Sequence, residues 1–479
     1  MKKNKVIIRK HHKRQVLDVL EVIEEAQQNG AFQAAQDGIE AVLDFVDGLY
    51  NEDTELINLL VKHFELLYKA SIGEVDNKYL LEHFILIKNA VQNDFKPNHI
   101  EIAFLPHIAS MSDSLESIYL AANEDPDCDA YWVPIPYYEL NAEKEVKKQH
   151  FEGQEHYLNI PCVSWEDYSI EERRPDAIFT FFPYEYNNFI TGLPDDFLCE
   201  RLKNLTDMLV YVPYYVNIDE FTYYEAETFY PAFVHVHRAI VETEVQRDAI
   251  IKEFRKKFGD ALGDPNEKFV AMGSPKYDKV INTSKENSKL PKEWEDIING
   301  RKVIVYISSV GNVGEDKDYL KKTIETLSAF QNRDDIVLWW RPHPVMEMWI
   351  ELNSPQAGAL YKKIIRNYKA GAYGIYDDTS DLHRAIAWGD GLFGDISSVM
   401  LLYRVTGKPA MMANTCGKLY KKMKQSYTKL GGFRFEDETD TLEIFIDDIV
   451  NGKFAANPPI IEANAGKNIY SYIKNLVME

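Results

Sequence analysis

The chain has 479 residues, of which 45% are hydrophobic and 27% charged, and its formal net charge is −22. This length predicts more than one domain, and the composition is typical of a globular rather than a disordered protein. The balance of 54 basic against 76 acidic residues argues against a protein that binds nucleic acid by neutralising its phosphates.

The cysteines and the apolar runs indicate the cellular compartment in which the protein is located. Cys128, Cys162, Cys199 and Cys416 form no CxxC pair, so we expect neither a zinc site nor a disulfide framework, and a reducing cytoplasmic location. No apolar run approaches the ~20 residues that span a bilayer, and no signal peptide is predicted.

A basic cluster at the N terminus is either solvated or touches anionic lipid head groups. It comprises Lys2, Lys3, Lys5, Arg9, Lys10, Lys13 and Arg14.

Residues 1–95 are predicted to form a helical N-terminal segment. From about Gln15 to Asn89 the apolar side chains recur at helical spacing, with breaks near Asn29 and Asn51. We expect amphipathic helices that pack on each other or on the next domain, and we assign them no chemistry.

From Pro97 onward, short β-rich runs alternate with helical stretches, which is typical of parallel sheets with crossover helices. We predict an α/β fold with two Rossmann-like lobes, over residues 96–245 and 246–460, followed by a closing helix over 461–479. The strands predicted in the first lobe are 100–105, 130–135, 176–181, 208–211 and 234–241. Those predicted in the second are 268–272, 303–308, 336–340, 374–376, 391–393 and 409–412.

Ligands of open α/β sheets bind beyond the carboxyl ends of the strands, so the segments that follow the predicted strands are the candidate sites. The first such segment runs from His107 to Ser117. Ser112 or Asp113 can cap the helix that follows. Alternatively, Asp113 faces the cleft and orients or deprotonates an acceptor hydroxyl.

Three further segments carry weaker signals. In the segment after strand 268–272, Gly273 permits close backbone approach and Lys276 offers a charge to a phosphate, although the segment could equally be a hinge. The loop over 307–312 places Ser308 above the same cleft. His235 and His237 alternate on the predicted strand 234–241, and without a third ligand we interpret them as structural.

The segment after strand 336–340 reads Arg341-Pro342-His343-Pro344. The two prolines fix the turn, while a guanidinium and an imidazole emerge side by side. This pair suits a pyrophosphate, because Arg341 can grip two oxygens and His343 can donate to, or protonate, the oxygen that leaves. The alternative is a capped strand end.

The segment after strand 391–393 begins Gly394-Asp395 and continues with Ser397 and Ser398 at the start of a helix. Two hydroxyls beside the amides of a first helical turn indicate a phosphate cradle. Helix capping alone is the alternative. The patterns GxGxxG, Walker A, HExxH and GxSxG are absent from the sequence, which removes the usual dinucleotide, NTPase, metalloprotease and hydrolase interpretations.

The order of these motifs resembles the CDP-glycerol glycerophosphotransferase family, the teichoic-acid polymerases and primases with a GT-B fold. The resemblance covers residues 265–415, which contain Gly-Ser-Pro-Lys-Tyr-Asp, Arg-Pro-His-Pro, Tyr-Asp-Asp-Thr-Ser-Asp-Leu, Gly-Asp-Ile-Ser-Ser-Val and Gly-Lys-Pro. It implies that His343 and the Asp395, Ser397 and Ser398 turn bind or activate the pyrophosphate of a CDP-alditol. It also implies that the loop at Ser112 to Ser114 lies on the acceptor side.

One departure concerns the general base. The family carries a His-Gly-Thr element with an essential histidine in its first lobe, whereas the comparable strand end here reads Tyr211-Val212-Pro213-Tyr214-Tyr215. The sequence therefore does not identify the group that takes the proton of the acceptor.

The resemblance implies a transferase that moves glycerol or ribitol phosphate from a CDP-activated donor to a hydroxyl of a cell-surface glycopolymer or lipid-linked precursor. No metal and no cofactor beyond this donor substrate is expected, and the location is cytoplasmic, with weak association at the inner membrane surface. Alternatives are a nucleotide-sugar glycosyltransferase of GT-B fold and a non-catalytic relative. The expected catalytic residues are His343 and Asp113, and the expected donor-phosphate ligands are Arg341, Asp395, Ser397, Ser398, Gly273, Lys276 and Ser308.

Overall fold

The structure is a computed structural model, and it describes residues 6–50, 54–93, 95–157, 159–217, 230–309, 319–414, 417–454, 461 and 463–479. For residues 417–422 only the helical backbone is described. Lys2, Lys3, Lys5, Cys416 and the loop residues after Ser309 that we singled out lie outside the described residues.

The N-terminal segment forms a bundle of four helices, as the apolar spacing predicts. Side chains such as Leu20, Leu60 and Phe84 are fully buried in one shared core. The first helix ends at the predicted break, where Gly30 adopts a φ of 74° that favours glycine. The helices are α1 (Lys10–Gln28), α2 (Phe32–Tyr50), α3 (Glu55–Ser71) and α4 (Asn77–Asn93).

Arg9 connects this bundle to the first lobe through buried ion pairs. Its guanidinium lies 3.0 Å from Asp176 and 3.1 Å from Glu101, and all three side chains are buried. Lys13 donates to a backbone carbonyl, and Arg14 pairs with Asp207. The expectation of a solvated or lipid-binding basic cluster is therefore wrong for Arg9, which is buried in ion pairs, whereas Arg14 remains exposed.

The first lobe contains a parallel six-stranded sheet in the order β2-β1-β5-β7-β8-β9. A small antiparallel sheet, β4-β3-β6, which the sequence did not predict, lies beside it. The strands are β1 (Ile100–Phe104), β2 (Cys128–Trp132), β3 (Tyr137–Leu140), β4 (Val146–His150), β5 (Ala177–Thr180), β6 (Thr191–Gly192), β7 (Met208–Tyr211), β8 (Arg238–Val241) and β9 (Phe269–Ala271). The helices are α5 (Asp113–Asn123), α6 (Ile170–Arg173), α7 (Cys199–Leu202), α8 (Pro231–His235), α9 (Glu244–Phe258) and α10 (Pro265–Lys268).

The second lobe contains another parallel six-stranded sheet, in the order β12-β11-β10-β13-β14-β15. The predicted class of two Rossmann-like lobes after a helical segment is thus confirmed. The strands are β10 (Lys302–Ser308), β11 (Ile336–Pro342), β12 (Gly374–Tyr376), β13 (Gly391–Gly394), β14 (Ala410–Met412) and β15 (Phe433–Phe435). The helices are α11 (Pro275–Ile281), α12 (Lys292–Ile298), α13 (Tyr319–Gln331), α14 (Met346–Asn353), α15 (Pro355–Gly371), α16 (Leu382–Trp388), α17 (Ser398–Arg404), α18 (Gly417–Leu430), α19 (Leu442–Val450) and α20 (Ala465–Met478).

Two predictions of the strand pattern are wrong. The lobe boundary at residue 245 is too early, because β9 pairs in parallel with β8 and completes the first sheet. The predicted strand 234–241 is a short helix followed by β8, since Pro231 occupies the first helical turn, where its missing N–H costs nothing. His235 therefore lies in α8, and His237 accepts a hydrogen bond from the amide of Leu209 outside any strand.

The last helix, α20, returns to the first lobe. Ile469, Ile473 and Val477 are buried in the core of that lobe, and Tyr470 and Lys474 both bind Asp125. Residues of α20 thus join the end of the chain to the lobe that begins near residue 100.

The Arg9 contact gives a stability prediction. We expect Arg9→Met to lower the free energy of unfolding by about 3–5 kcal/mol, because Glu101 and Asp176 would lose their shared buried cation. Arg14→Met removes a half-exposed pair and should cost about 1 kcal/mol or less. Urea unfolding of both variants checks the difference, and equal losses would contradict the structural role of Arg9.

The bundle core also holds a buried histidine pair. The Nδ1 atoms of His63 and His83 lie 3.2 Å apart, and Nε2 of His63 lies 3.1 Å from Oε1 of Gln27. Burial lowers the pKa of His63 to about 3, and it also lowers the pKa of His83. Both imidazoles are therefore neutral in the folded chain near pH 7.

This pair predicts acid sensitivity. Between about pH 6.5 and pH 3 the unfolded chain binds protons that the folded bundle excludes, so the stability present above pH 6.5 is lost as the pH falls. We expect the melting temperature to drop over this range, and the drop to shrink in the His63→Leu, His83→Leu double variant. His156→Gln, which changes an exposed imidazole, serves as the control. An unchanged acid profile in the double variant would argue against the pair.

Candidate functional site

The carboxyl ends of both sheets face one cleft, and the predicted strand-end turns meet there. A pocket with about 660 Å³ of empty volume receives residues from the segments after β1, β10, β11 and β13. We call it the strand-end pocket. Its lining includes Ser110 and Tyr214 of the first lobe, Lys276 of α11, and Ser308, Arg341, His343, Ser397 and Ser398. The structure thus brings six of the nine predicted site residues into one cavity.

His343 presents a neutral imidazole to this pocket. Its Nδ1 accepts a hydrogen bond of 3.3 Å from the amide of Val345, so the ring proton is on Nε2. Its backbone amide donates to the carbonyl of Ser308 at 3.0 Å, which fixes the turn against β10. Burial lowers the pKa of His343 to about 4. At pH 7 the ring is therefore neutral. It can donate a hydrogen bond through Nε2, but it is not an imidazolium that could act as a general acid.

Ser397 supplies a buried hydroxyl without a partner. It precedes α17, but its side chain makes no capping hydrogen bond. Its Oγ is buried, and no described atom accepts from it or donates to it. An unpaired buried hydroxyl is costly, so a ligand oxygen in the strand-end pocket would satisfy it. Ser398 lines the same pocket.

The turn that carries these serines depends on close backbone packing. A Cβ on Gly394 would lie 2.1 Å from the carbonyl oxygen of Ile307, so a side chain is excluded where β13 meets β10. The carboxylate of Asp395 is fully buried and accepts from the amide of Ser309 at 2.6 Å. Asp395 thus holds the end of β10 in place, and it does not line the strand-end pocket as the sequence predicted.

Arg341 reaches the pocket wall with its guanidinium already engaged. It pairs with Asp377 at 2.7 Å and donates to the carbonyl of Thr379 at 2.7 Å. Asp377 also accepts from the indole of Trp339 at 2.9 Å. The guanidinium thus fixes the segment after β12, and its charge is shared with a carboxylate instead of being free for a phosphate.

Lys276 and Asp113 meet across the lobes. The Lys276 ammonium contacts Oδ1 of Asp113, and Nε2 of His383, on α16, lies 2.7 Å from Oδ2 of the same carboxylate. All three side chains are buried. Although burial opposes ionisation, the Lys276 charge and the His383 hydrogen bond hold the pKa of Asp113 well below its usual range. We call these three residues the interlobe triad.

The interlobe triad changes two of our predictions. Asp113 does not cap α5 with its side chain, and as a strongly acidic, doubly bound carboxylate it is a poor base. Lys276 lines the strand-end pocket, but its charge is already balanced by Asp113. Sequence reasoning missed His383. The only signal was a histidine directly after the Tyr-Asp-Asp-Thr-Ser-Asp-Leu motif.

Gly273 lies away from the strand-end pocket. It adopts a φ of 77°, its amide donates to the carbonyl of Glu242, and it lines a separate cavity beside α20. Its role is to turn the chain from β9 into α11. Within the described ranges, no cluster of three His, Cys, Asp or Glu side chains could hold a metal ion. In the same ranges, no helix is long and apolar enough to cross a bilayer.

Residues 252–457 match the family model of CDP-glycerol:poly(glycerophosphate) glycerophosphotransferase. This match covers the second lobe with all of its strand-end motifs, and it confirms the resemblance inferred from the order of those motifs. No curated protein matches the chain at a significant level.

Solved structures are similar to this chain at low sequence identity. A protein described as a UDP-N-acetylglucosamine 2-epimerase from Listeria monocytogenes is 13% identical with a TM-score of 0.50, covering 79% of this chain and 96% of that one. S. aureus MnaA with UDP is 10% identical, with a TM-score of 0.47 and coverage of 79% and 97%. The wall teichoic acid polymerase TagF is 12% identical, with a TM-score of 0.43 and coverage of 89% and 99%. At 13% identity the first of these likenesses concerns the fold alone.

The interlobe triad gives a prediction with a matched control. We expect Lys276→Met to lower the free energy of unfolding by about 3–5 kcal/mol, because it leaves the buried Asp113 without its cation. Lys279→Met removes the neighbouring interlobe pair with Glu116, which is only half-buried, and should cost about 1 kcal/mol or less. Calorimetry of the two variants decides the matter, and a Lys276→Met protein as stable as the control would refute the role of the buried pair.

Proposed function

We propose that the chain transfers an alditol phosphate from a CDP-activated donor to a polymer hydroxyl, because residues 252–457 match the glycerophosphotransferase family model. Glycerol phosphate is the group that the family description names, with poly(glycerophosphate) as its acceptor. The observation that carries the proposal is the meeting of the His343 turn and the Ser397 turn in one pocket.

In this reaction the acceptor oxygen attacks the phosphorus that bears the alditol. A new phosphorus–oxygen bond forms to the acceptor, and the bond to the bridging oxygen of the pyrophosphate breaks, so that CMP leaves. The leaving group is a phosphate monoester, which is stable as an anion near neutral pH. Stabilisation of the developing charge by fixed donors therefore suffices, and the leaving oxygen needs no proton.

We assign that stabilisation to the strand-end pocket. Nε2–H of the neutral His343 imidazole and the unpartnered hydroxyls of Ser397 and Ser308 are among the donors that the fold leaves available. Ser398, Ser308 and the ion-paired Lys276 and Arg341 line the same cavity and complete a polar wall. Because these donors are fixed by backbone and carboxylate contacts, they need little reorganisation during the reaction.

The acceptor approaches from the first lobe. A larger cleft, with about 2020 Å³ of empty volume, adjoins the strand-end pocket at Ser110 and Leu382 and is lined by Asp113, Ser117, Glu116 and Asn159. We propose that it receives a cell-surface glycopolymer or lipid-linked precursor. Such an acceptor would place a cytoplasmic protein at the inner face of the membrane. Arg9, which is buried in ion pairs, is not a residue that would hold it there.

Donor specificity and turnover test the proposal. We expect calorimetric titration to show tighter binding of CDP than of UDP or GDP, and the chain to release CMP from CDP-glycerol in the presence of a short poly(glycerophosphate) primer. Preferential binding of UDP or GDP would favour a nucleotide-sugar glycosyltransferase instead. Donor binding without any turnover would favour a non-catalytic relative.

The strand-end donors can be tested individually. We expect His343→Ala and Ser397→Ala each to lower the rate of transfer by about 10²–10³-fold, because each removes one fixed donor to the departing charge. His235→Gln is the control, since that histidine lies in α8 and does not line the strand-end pocket. Rates for both variants equal to that of the control would reject the assignment.

A further inference from the structure

The interlobe triad contains a histidine that the proposed function has not yet used. His383 lies in the first turn of α16, and its side chain is buried against Asp113 of the first lobe. Both residues line the larger cleft that we assign to the acceptor. The pair therefore joins a carboxylate of one lobe to an imidazole of the other where the acceptor is expected.

The Asp113 carboxylate determines which nitrogen of His383 carries the proton. At its low pKa Asp113 is ionised and can only accept hydrogen bonds. The ring nitrogen 2.7 Å away, Nε2, must therefore be the donor. It follows that Nδ1 of neutral His383 bears a lone pair directed away from Asp113.

That lone pair has no partner. No described atom makes a hydrogen bond with Nδ1 of His383, although the atom is buried and its side chain is only 4% exposed. A buried acceptor without a donor is unfavourable, and a hydroxyl group is a partner that can supply the missing hydrogen bond.

Several other groups near the strand ends are poor candidates for this proton acceptor. Asp113 is doubly bound and strongly acidic, and Nδ1 of His343 is occupied by the amide of Val345. At the strand end of β7, Tyr211 and Val212 are buried in the core of the first lobe. His107, after β1, is enclosed between Phe181 and Phe182.

We propose that Nδ1 of His383 is the general base that takes the proton of the acceptor hydroxyl, and that Asp113 positions the ring for this step. The inference rests on the proposed transferase function. As the acceptor oxygen bonds to phosphorus, its proton moves to Nδ1 and CMP leaves with the electrons of the broken bond. The imidazolium is held by Asp113 and returns its proton to water after product release. This is the Asp–His arrangement of hydrolytic triads, with the two ring nitrogens exchanged.

Two substitutions, one to glutamine and one to asparagine, distinguish a chemical role of His383 from a structural one. In His383→Gln the amide nitrogen replaces Nε2 and keeps the hydrogen bond to Asp113, but no base remains. In Asp113→Asn the amide of the new side chain donates to Nε2, which forces the ring proton onto Nδ1. We expect each change to slow transfer from CDP-glycerol to a poly(glycerophosphate) primer by about 10²–10⁴-fold, with unchanged CDP affinity in His383→Gln.

The combination of both substitutions gives the sharper readout. Because both act on one base, the double variant should be no slower than His383→Gln alone. Transfer by His383→Gln within about threefold of the unsubstituted chain would overturn the proposal and leave His383 as a structural link. Multiplying losses in the double variant would overturn it as well. An unsubstituted chain that does not turn over CDP-glycerol would instead reject the transferase function itself.

A measurement on the unsubstituted chain does not depend on the folding of any variant. In nitrogen-15 NMR spectra of histidine-labelled protein near neutral pH, we expect His383 to show the tautomer protonated at Nε2, assigned by comparison with His383→Gln or with Asp113→Asn. A proton on Nδ1 of His383 would overturn the proposal regardless of the kinetic results.

Discussion

One buried ion pair across the cleft is the contact on which the relative position of the two lobes at the site depends. Lys276 and Asp113 neutralise each other where water is excluded, and His383 of the second lobe hydrogen-bonds the same carboxylate. Burial of a single one of these charges would be strongly unfavourable. The three side chains therefore favour the arrangement in which α5, α11 and α16 lie together, and this arrangement brings the strand ends of both sheets to one cavity.

The strand-end pocket uses hydrogen-bond donors in place of free charge. Among its lining residues the two permanent cations, Lys276 and Arg341, already pair with Asp113 and Asp377. The neutral donors available to a pyrophosphate include the Nε2–H of His343 and the hydroxyls of Ser397 and Ser308. Fixed neutral donors stabilise a charge that develops during the reaction without holding the product CMP as tightly as free cations would. This division suits an enzyme that must release CMP after each transfer.

The sequence predicted the fold class and the meeting of the turns, because alternating strands and helices fix where carboxyl ends lie. It could not predict partners that depend on distant residues. Arg341 forms an ion pair with Asp377, which follows the neighbouring strand. Arg9 pairs with Glu101 and Asp176. Asp113 contacts Lys276 and His383. The lobe boundary was misplaced for a similar reason, since only the pairing of β9 with β8 shows which sheet residues 269–271 join.

A crystal structure of the chain soaked with CDP tests the central claim most directly. The account predicts that the diphosphate lies in the strand-end pocket, with oxygens within hydrogen-bonding distance of Nε2 of His343 and Oγ of Ser397. A diphosphate bound elsewhere in the molecule, with both of these groups left unoccupied, would contradict it.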